Sequence, residues 1–444
     1  MLFRFCLYGF LKNQRYYDPF LILYFRQEGL SFSVIGLLVG LRELLINIFE
    51  VPSGALADLY GRRRCMIFSF CAYIASFAVF AFSSATWHFF AAMALFALGD
   101  AFRTGTHKAM IFDYLLHEGR SDEKTRYYGT TRSFSKIGSA VSVVIASAMV
   151  FGAAGLQADA GPNVYRYLFL ASIVPYVIGL INFAGYPDHL DGLNRQTVSV
   201  RRVLGHLYSV GRQTLKTPRM RRLMIESMGF EGTYNVAKDY LQPVIKVAAL
   251  SLTCFVGLGD VQRTAGLILV VYVVLHIIES LASRRSDTVR RRTGGDEQGA
   301  RFLWWANLFI FAAIAAGLGL DFRLGETAAG LGLVVTIVGF LALAALQNLW
   351  RPMQVGRFSD AGDPANGATV LSIESQVKSL SAAVLAPLLG LAVDWFRSFD
   401  QPDGKGASFI PVATAGLLIT AAVLIFRRQA VRRNNSSQTS GRNV

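Results

Sequence analysis

Apolar stretches of about twenty residues recur along the whole chain, and each is long enough to cross the roughly 30 Å hydrocarbon core of a bilayer as a helix. One such stretch would fit a buried core helix, but a long series of them does not. The 444 residues are 53% hydrophobic and only 16% charged, which is too apolar for a soluble multidomain protein. The sequence therefore predicts an all-α integral membrane protein.

We place twelve transmembrane helices, arranged as two pseudo-symmetric six-helix bundles. They lie near residues 2–25, 33–55, 65–86, 88–114, 129–154, 165–186, 222–247, 264–283, 302–320, 328–354, 367–395 and 409–426. Polar residues interrupt three of them, at 88–114, 222–247 and 328–354. The predicted organisation is an N-terminal bundle over 1–186, a cytoplasmic central loop over 187–221, a C-terminal bundle over 222–426 and a disordered cytoplasmic tail over 427–444.

The formal net charge of +15 would suggest a nucleic-acid partner in a soluble protein. Here the Lys and Arg residues concentrate in alternate loops, for example at 62–64, 195–222 and 284–292, as the positive-inside rule requires. This distribution predicts a multi-pass protein of the plasma membrane, the inner membrane in a bacterium, with both termini cytoplasmic. The expected surroundings are the lipid bilayer, with no nucleic acid. We read Cys6, Cys65, Cys71 and Cys254 as buried apolar fillers.

Two faint internal repeats favour duplicated halves. The segment at 98–103 aligns with 346–351, and both segments end in an aromatic residue followed by an arginine. Glu50, Asp58, Arg62 and Arg63 also stand at one constant offset from Glu279, Asp287, Arg291 and Arg292.

A very short cationic turn joins the second and third predicted helices, at residues 54–64. Small Gly54 allows a neighbouring helix to approach closely. Asp58 can accept from a helix N-terminus or pair with an arginine, and Gly61 permits a tight reversal. Arg62 and Arg63 follow at once.

This turn reads Gly-x-Leu-Ala-Asp-x-x-Gly-Arg-Arg-Arg and resembles the signature loop of the major facilitator superfamily. The resemblance implies two six-helix bundles around a central cavity that opens alternately to either side, with Asp58 latching the cytoplasmic gate. It also implies that helices one, four, seven and ten line the cavity. The predicted gate residues are Gly54, Asp58, Gly61, Arg62 and Arg63.

Ionisable residues inside membrane helices are costly, so each is a functional candidate. Helical spacing puts Asp100, Arg103 and His107 on one face. Arg103 fits either a role in substrate binding or coupling, or a buried ion pair with Asp100 that only fixes packing. The candidates for carrying a proton are Asp100, Glu43, Glu231 and Glu374, and Trp350 is the candidate for stacking on a solute. The complete set of substrate or coupling candidates is Glu43, Asp100, Arg103, His107, Glu231, Trp350, Arg351 and Glu374.

These features predict a secondary active transporter that moves a small polar or charged solute by alternating access, coupled to protons. The proline-containing helix-five signature of the family's drug/proton antiporters is absent from residues 129–155. The segment at 368–394 nevertheless resembles helix eleven of some exporters, so a multidrug efflux antiporter remains the first alternative. A non-transporting receptor or assembly factor on a transporter scaffold is the second.

No phosphate-binding Gly-x-x-x-x-Gly-Lys-Ser/Thr loop, nucleophile elbow or metal-spaced histidine pair is present in the sequence. We therefore expect no enzymatic activity, no catalytic residue, no metal and no cofactor. We expect the protein to be a monomer.

Overall fold

The computed structural model describes residues 1–156, 163–187, 190, 200–251, 257–323, 326–361, 367–398 and 406–440. Within these ranges, the side chains outside the description are those of residues 58, 125, 156, 200–204, 206, 207, 321–323, 326–329, 367, 368 and 428–440. Three of our sequence predictions fall partly outside: the side chain of Asp58, parts of the central loop at 187–221, and the end of the tail. Cys254 lies outside as well.

The described chain is helical, with no strand in any of these ranges. The helices are α1 (Leu2–Leu11), α2 (Leu21–Gln27), α3 (Phe32–Tyr60), α4 (Arg62–Phe82), α5 (Thr86–Arg103), α6 (Thr106–His117), α7 (Lys124–Leu156), α8 (Arg166–Ala184), α9 (Val200–Lys216), α10 (Pro218–Ser227), α11 (Thr233–Ala237), α12 (Leu241–Ser251), α13 (Asp260–Thr293), α14 (Asp296–Arg323), α15 (Glu326–Ala361), α16 (Gly367–Arg397) and α17 (Ile410–Ser440).

Among the described residues, nine helices are long and apolar enough to cross a membrane: α3, α4, α7, α8, α13, α14, α15, α16 and α17. The three further spans that we predicted, at 2–25, 88–114 and 222–247, are each divided into shorter helices. Each interruption has a structural feature that accompanies it.

The first predicted span unwinds between α1 and α2. The side-chain amides of Asn13 and Gln14 donate to the carbonyls of Ser135 (2.7 Å) and Gly138 (3.0 Å) in α7 instead of extending the helix. Pro19 then starts a short 3₁₀ turn that leads into α2, as proline does where it needs no amide hydrogen. Within a membrane, irregular backbone is tolerated where other parts of the protein bond to its amides and carbonyls.

The other two interruptions have glycine at the break. Gly105 separates α5 from α6 with a φ of +80°, a backbone conformation that side chains with a Cβ rarely adopt. Between α10 and α11, residues Met228–Gly232 form a π-helical turn. Such turns inside α-helices are rare and are frequent at functional sites.

The chain divides into two compact units. Unit 1 comprises Met1–His206 and Thr253–His276. In unit 1, α4 packs on α5 and α8, and α1 packs on α7. The last contact is close, because a Cβ at Gly138 would lie 2.6 Å from the carbonyl oxygen of Phe10. The core between α4, α5 and α8 is aromatic, and Phe70, Tyr73 and Tyr176 are fully buried in it.

Unit 2 comprises Leu207–Leu252 and Ile277–Val444. Here α14 packs on α15 and α17. Phe230, Trp304 and Trp350 form its aromatic centre. Helix α9, which lies in our predicted central loop, packs Val210 against Met220 and Ile373 of the same unit.

Two expectations need correction. We predicted a disordered tail from residue 427, whereas the backbone of α17 is helical to Ser440. The residues directly after Phe426, at 427–433, are mostly good helix formers, and Arg427 is held by Glu226 at 3.3 Å. Cys71 is exposed rather than buried.

Candidate functional site

In unit 1, a network of charged and phenolic groups surrounds Asp100 near the end of α5. We call Arg15, Tyr73, Asp100, Arg103 and Tyr176 the Asp100 cluster. Oδ1 of Asp100 accepts from Nη2 of Arg15 at 3.2 Å and from Nη2 of Arg103 at 2.9 Å. The hydroxyl of Tyr73 also donates to Asp100, and it accepts from Nε of Arg103 at 2.9 Å. Two arginines thus share one carboxylate, which leaves the cluster with excess positive charge.

The unwound segment between α1 and α2 supplies Arg15 to this cluster. Nε of Arg15 donates to the hydroxyl of Tyr176 at 3.0 Å. The same hydroxyl donates to the carbonyl of Lys12 at 2.8 Å, so α8 fixes both the side chain and the backbone of the break. The geometry resembles the broken helices of transporters, whose unwound segments carry the polar groups of binding sites.

Beside the Asp100 cluster lies a cavity of about 510 Å³ within unit 1. Its lining includes five cationic side chains, and we call it the cationic cavity: Lys12, Arg103, Lys108, Arg132 and Lys136. No Asp or Glu is among the described residues that line it. The volume lies within the range of small-molecule sites, roughly 300–1,000 Å³.

His107 also lines this cavity, but not as its spacing predicted. The break at Gly105 interrupts the helix, so His107 does not continue the face that carries Asp100 and Arg103. Its ring instead stacks on Tyr8 with a centroid distance of 3.7 Å. Only 6% of His107 is exposed.

Unit 2 has a second buried network, on the π-helical turn, α15 and α16. We call Ser227, Glu231, Arg351, Glu374 and Lys378 the Glu231 cluster. Nη1 of Arg351 donates to Oε1 of Glu231 at 3.0 Å and to Oε1 of Glu374 at 2.7 Å. Lys378 donates to Oε2 of Glu231 at 2.8 Å, and the hydroxyl of Ser227 donates to Glu374. Two cations and two carboxylates balance in charge.

Trp350 does not present its ring to a cavity in this conformation. It is fully buried and stacks on Phe230 with a centroid distance of 4.4 Å. The ring of Trp304 also contacts it in an edge-on arrangement, with a centroid distance of 5.8 Å. The solute-stacking role that we predicted for Trp350 therefore needs a different conformation, whereas Arg351 beside it points into the Glu231 cluster.

Glu43 lies apart from both clusters in the contacts that the structure records. Its Oε1 accepts from Nη2 of Arg42, its neighbour in α3, at 2.7 Å. A proton-carrying role for Glu43 stays a prediction.

The predicted gate residues have mixed environments. Gly61 reverses the chain between α3 and α4 with a φ of +102°, as its position predicts. Arg62 pairs with Asp113 of α6, and Nη1 of Arg63 donates to the carbonyl of Tyr186 at 2.8 Å. Within unit 1, nothing lies within 4 Å of a Cβ placed at Gly54, so the close approach that we expected there is not seen.

The sequence comparison between the halves has a structural counterpart in unit 2. Asp287 pairs with Arg291 at 2.6 Å. Two glycines with positive φ, Gly294 and Gly295, then turn the chain into α14. The likeness to the turn at Gly61 is confined to an acid followed four residues later by an arginine, because Gly61 precedes Arg62 whereas Gly294 follows Arg291.

Our site list omitted several residues of the two clusters. Arg15, Tyr73, Tyr176 and Lys378 belong to them, and Lys12 lines the cationic cavity. The charged members carry a detectable signal, since each is an ionisable residue inside a predicted span. The tyrosines carry none, because packing and site tyrosines look alike in sequence. No group of three or more potential metal ligands occurs in the described part of the chain.

Comparison with known proteins places this arrangement in a family. The family model described as Major Facilitator Superfamily matches residues 5–362. An uncharacterized MFS-type transporter, YxaM of Bacillus subtilis (strain 168), is 36% identical over 90 residues, which is 20% of this chain and 23% of that protein.

Solved transporters have a similar fold at low sequence identity. The nucleoside transporter NupG has a TM-score of 0.69 and 12% identity, over 97% of this chain and 96% of that one. A D-xylose-proton symporter has a TM-score of 0.63 and 14% identity, over 95% of both chains. A POT family transporter in complex with 5-aminolevulinic acid has a TM-score of 0.64 and 14% identity, over 97% of this chain and 96% of that one.

The fold and the buried charges define a multi-pass membrane protein of the transporter class. The chain belongs to the Major Facilitator Superfamily.

Proposed function

We propose that the chain is a secondary active transporter that moves a small polar or charged solute by alternating access, coupled to protons. The observation that carries the proposal is a buried charge network at an interrupted helix in each unit, the Asp100 cluster and the Glu231 cluster. Charges inside membrane helices are expensive, and they mark solute and ion pathways in transporters. Helices that unwind at such charges supply polar backbone where a solute binds.

In this proposal the chain forms twelve membrane spans in two pseudo-symmetric bundles, with the interrupted segments as the first, fourth and seventh spans. The bundle boundaries at 186 and 222, the cytoplasmic termini, the plasma-membrane location and the monomeric state are part of the same proposal. The positive charge of alternate loops supports the orientation.

The Glu231 cluster supplies the proposed proton carrier, Glu374. Its side chain has no exposed surface, and its Oε2 has no hydrogen-bond partner among the described residues. A buried carboxylate stays ionised only while its cations remain close, so separation from Arg351 favours proton uptake. Rearrangement of this cluster would thus couple proton binding to the change of access.

The proposed gate is the turn at 54–64. Arg62 and Arg63 attach α4 to α6 and to the end of α8, which supports a rigid body that moves as one. Asp58 is the proposed latch.

Reconstitution tests the proposed function. Purified protein in proteoliposomes, with an imposed pH gradient, should accumulate one or more labelled polar metabolites from a broad panel. Accumulation should stop when a protonophore collapses the gradient, and the Arg103→Ala variant should lose it. Absence of flux for the whole panel, together with retained binding of a partner protein, would favour the receptor alternative.

A further inference from the structure

The cationic cavity carries positive charge that ion pairs do not offset. Arg103 forms an ion pair with Asp100. In contrast, the described residues give no ion pair within 4 Å to Lys12, Lys108 or Arg132, all of which line the cavity. The nearby acid on α6, Asp113, is already paired with Arg62. Three cations of the cavity therefore have no ion pair among the described residues.

The backbone adds to this charge. Helix α6 begins at Thr106, beside the cavity-lining Gly105, and no side chain caps its first turn. The first amide hydrogens of a helix have no partner within it, and the helix dipole makes this end positive. Helix N-termini combined with cations are common anion sites.

Three hydroxyls of the lining, all on α7, are already used. The hydroxyls of Thr131 and Ser135 donate to backbone carbonyls one turn earlier in α7, at 2.9 Å and 3.1 Å. Ser139 does the same at 3.2 Å. These three hydroxyls therefore have no free proton to offer a ligand, which favours recognition by the cations of the lining.

One wall of the cavity is rigid. Gly9 and Gly138 bring α1 and α7 into backbone contact, and Asn13 of the break is bonded to Ser135. Arg103 is held by Asp100 and Tyr73. Fixed donors in place before a ligand arrives reduce the cost of binding.

We propose that the cationic cavity binds a small organic anion through a carboxylate or phosphate group. The inference deepens the proposed function, since it names the substrate class and rests on transport for its physiological meaning. Binding itself requires no transport. An alternative source of the same oxyanion chemistry is the headgroup of an anionic lipid.

In the ligand-free protein, Lys12, Lys108 and Arg132 repel each other around one cavity, so removal of one charge should stabilise the protein when no anion is present. Arg132→Gln is the test variant, because Arg132 lies in α7 and lines the cavity. Arg126→Gln is the matched control, since Arg126 is in the same helix and is exposed like Arg132, but pairs with Glu123 at 3.3 Å and does not line the cavity.

Thermal unfolding of the full chain in neutral detergent at low ionic strength provides the measurement. Sodium succinate and sodium phosphate are titrated against sodium chloride at matched ionic strength. Wild type and Arg126→Gln should show a saturable rise in the unfolding midpoint with an oxyanion, beyond the effect of chloride. Arg132→Gln should need at least about tenfold more oxyanion for the same rise in midpoint. Its midpoint without oxyanion should exceed that of wild type.

Three results would overturn the inference. They are a midpoint that oxyanions raise no more than chloride does, an equal loss of the oxyanion effect in Arg132→Gln and Arg126→Gln, or a midpoint of Arg132→Gln in buffer below that of wild type. Mixed micelles with phosphatidylglycerol or phosphatidylcholine form a further arm. Stabilisation that depends on Arg132 and occurs with phosphatidylglycerol alone would assign the cavity to a lipid and also overturn the solute proposal. Oxyanion binding without flux would contradict the proposed function only, whereas flux without Arg132-dependent binding would contradict this inference only.

Discussion

Arg351, whose side chain is 35% exposed, pairs with the fully buried Glu374, and Nη1 of the arginine lies 2.7 Å from Oε1 of the carboxylate. The second carboxylate oxygen has no hydrogen-bond partner among the described residues. The pair joins α15 to α16, so relative movement of these helices would break it. This relationship is the structural basis for the proposed proton coupling.

Replacement of Glu374 by Gln should separate coupling from solute movement. Glutamine keeps the size of the side chain and an oxygen for Arg351, but it cannot exchange a proton. Uptake driven by a pH gradient should be lost, while exchange of labelled for unlabelled solute continues. Glu118→Gln, at an exposed position after α6, should change neither. Loss of exchange in Glu374→Gln would argue against a role confined to the proton.

The contact of α1 with α7 predicts opposite effects for two glycines in the same helix. A Cβ at Gly138 would meet the carbonyl oxygen of Phe10 at 2.6 Å, and overpacking of this kind costs about 1–3 kcal/mol. At Gly129 a Cβ would meet nothing within 4 Å, and alanine is favoured over glycine by about 1 kcal/mol in a helix. Thermal unfolding should thus show Gly138→Ala destabilised and Gly129→Ala unchanged or stabilised. Equal midpoints would contradict the close packing.

A third charge network should contribute to the stability of unit 2. Glu226 has no exposed surface and pairs with Arg357 at 2.7 Å, whose side chain is 3% exposed. Glu226→Ala would leave this arginine buried with only Glu297, at a cost of about 3–5 kcal/mol. The unfolding midpoint should fall clearly. Asp287→Ala, which removes an exposed pair, should leave it unchanged, and a similar fall in both variants would refute the assignment.

Much of this architecture is predictable from the sequence, because its determinants are local. The turn at Gly61 requires a residue that tolerates positive φ, and the nine long spans require only apolar length. The interrupted spans were harder to predict. The break between α1 and α2, for example, is held by Asn13 and Gln14, which donate to carbonyls of α7 more than one hundred residues later.

The candidate site likewise combines contacts that are local in sequence with contacts between distant residues. Asp100 and Arg103 are neighbours in one helix turn, and their pairing follows from spacing. Arg15 reaches Asp100 across 85 positions and Lys378 reaches Glu231 across 147, which no local pattern encodes. Trp350 was assigned to a solute because it repeats the position of Phe102, but packing against Phe230 determines its environment.

The gate proposal predicts a kinetic defect. Asp58→Asn should slow transport while the amount of protein inserted in the membrane stays the same, because the neutral side chain weakens the latch but not the hydrophobic spans. Initial uptake rates, normalised to protein in the membrane, measure the effect. Asp122→Asn, at an exposed position before α7, is the control. An unchanged rate in Asp58→Asn would count against the latch.

The most direct test of the proposed transport mechanism is the pH inside proteoliposomes, recorded with a trapped fluorescent dye while a transported solute is added outside. The account predicts a solute-dependent change of internal pH in wild type and none in Glu374→Gln. Movement of solute in wild type with no change in internal pH would contradict proton coupling.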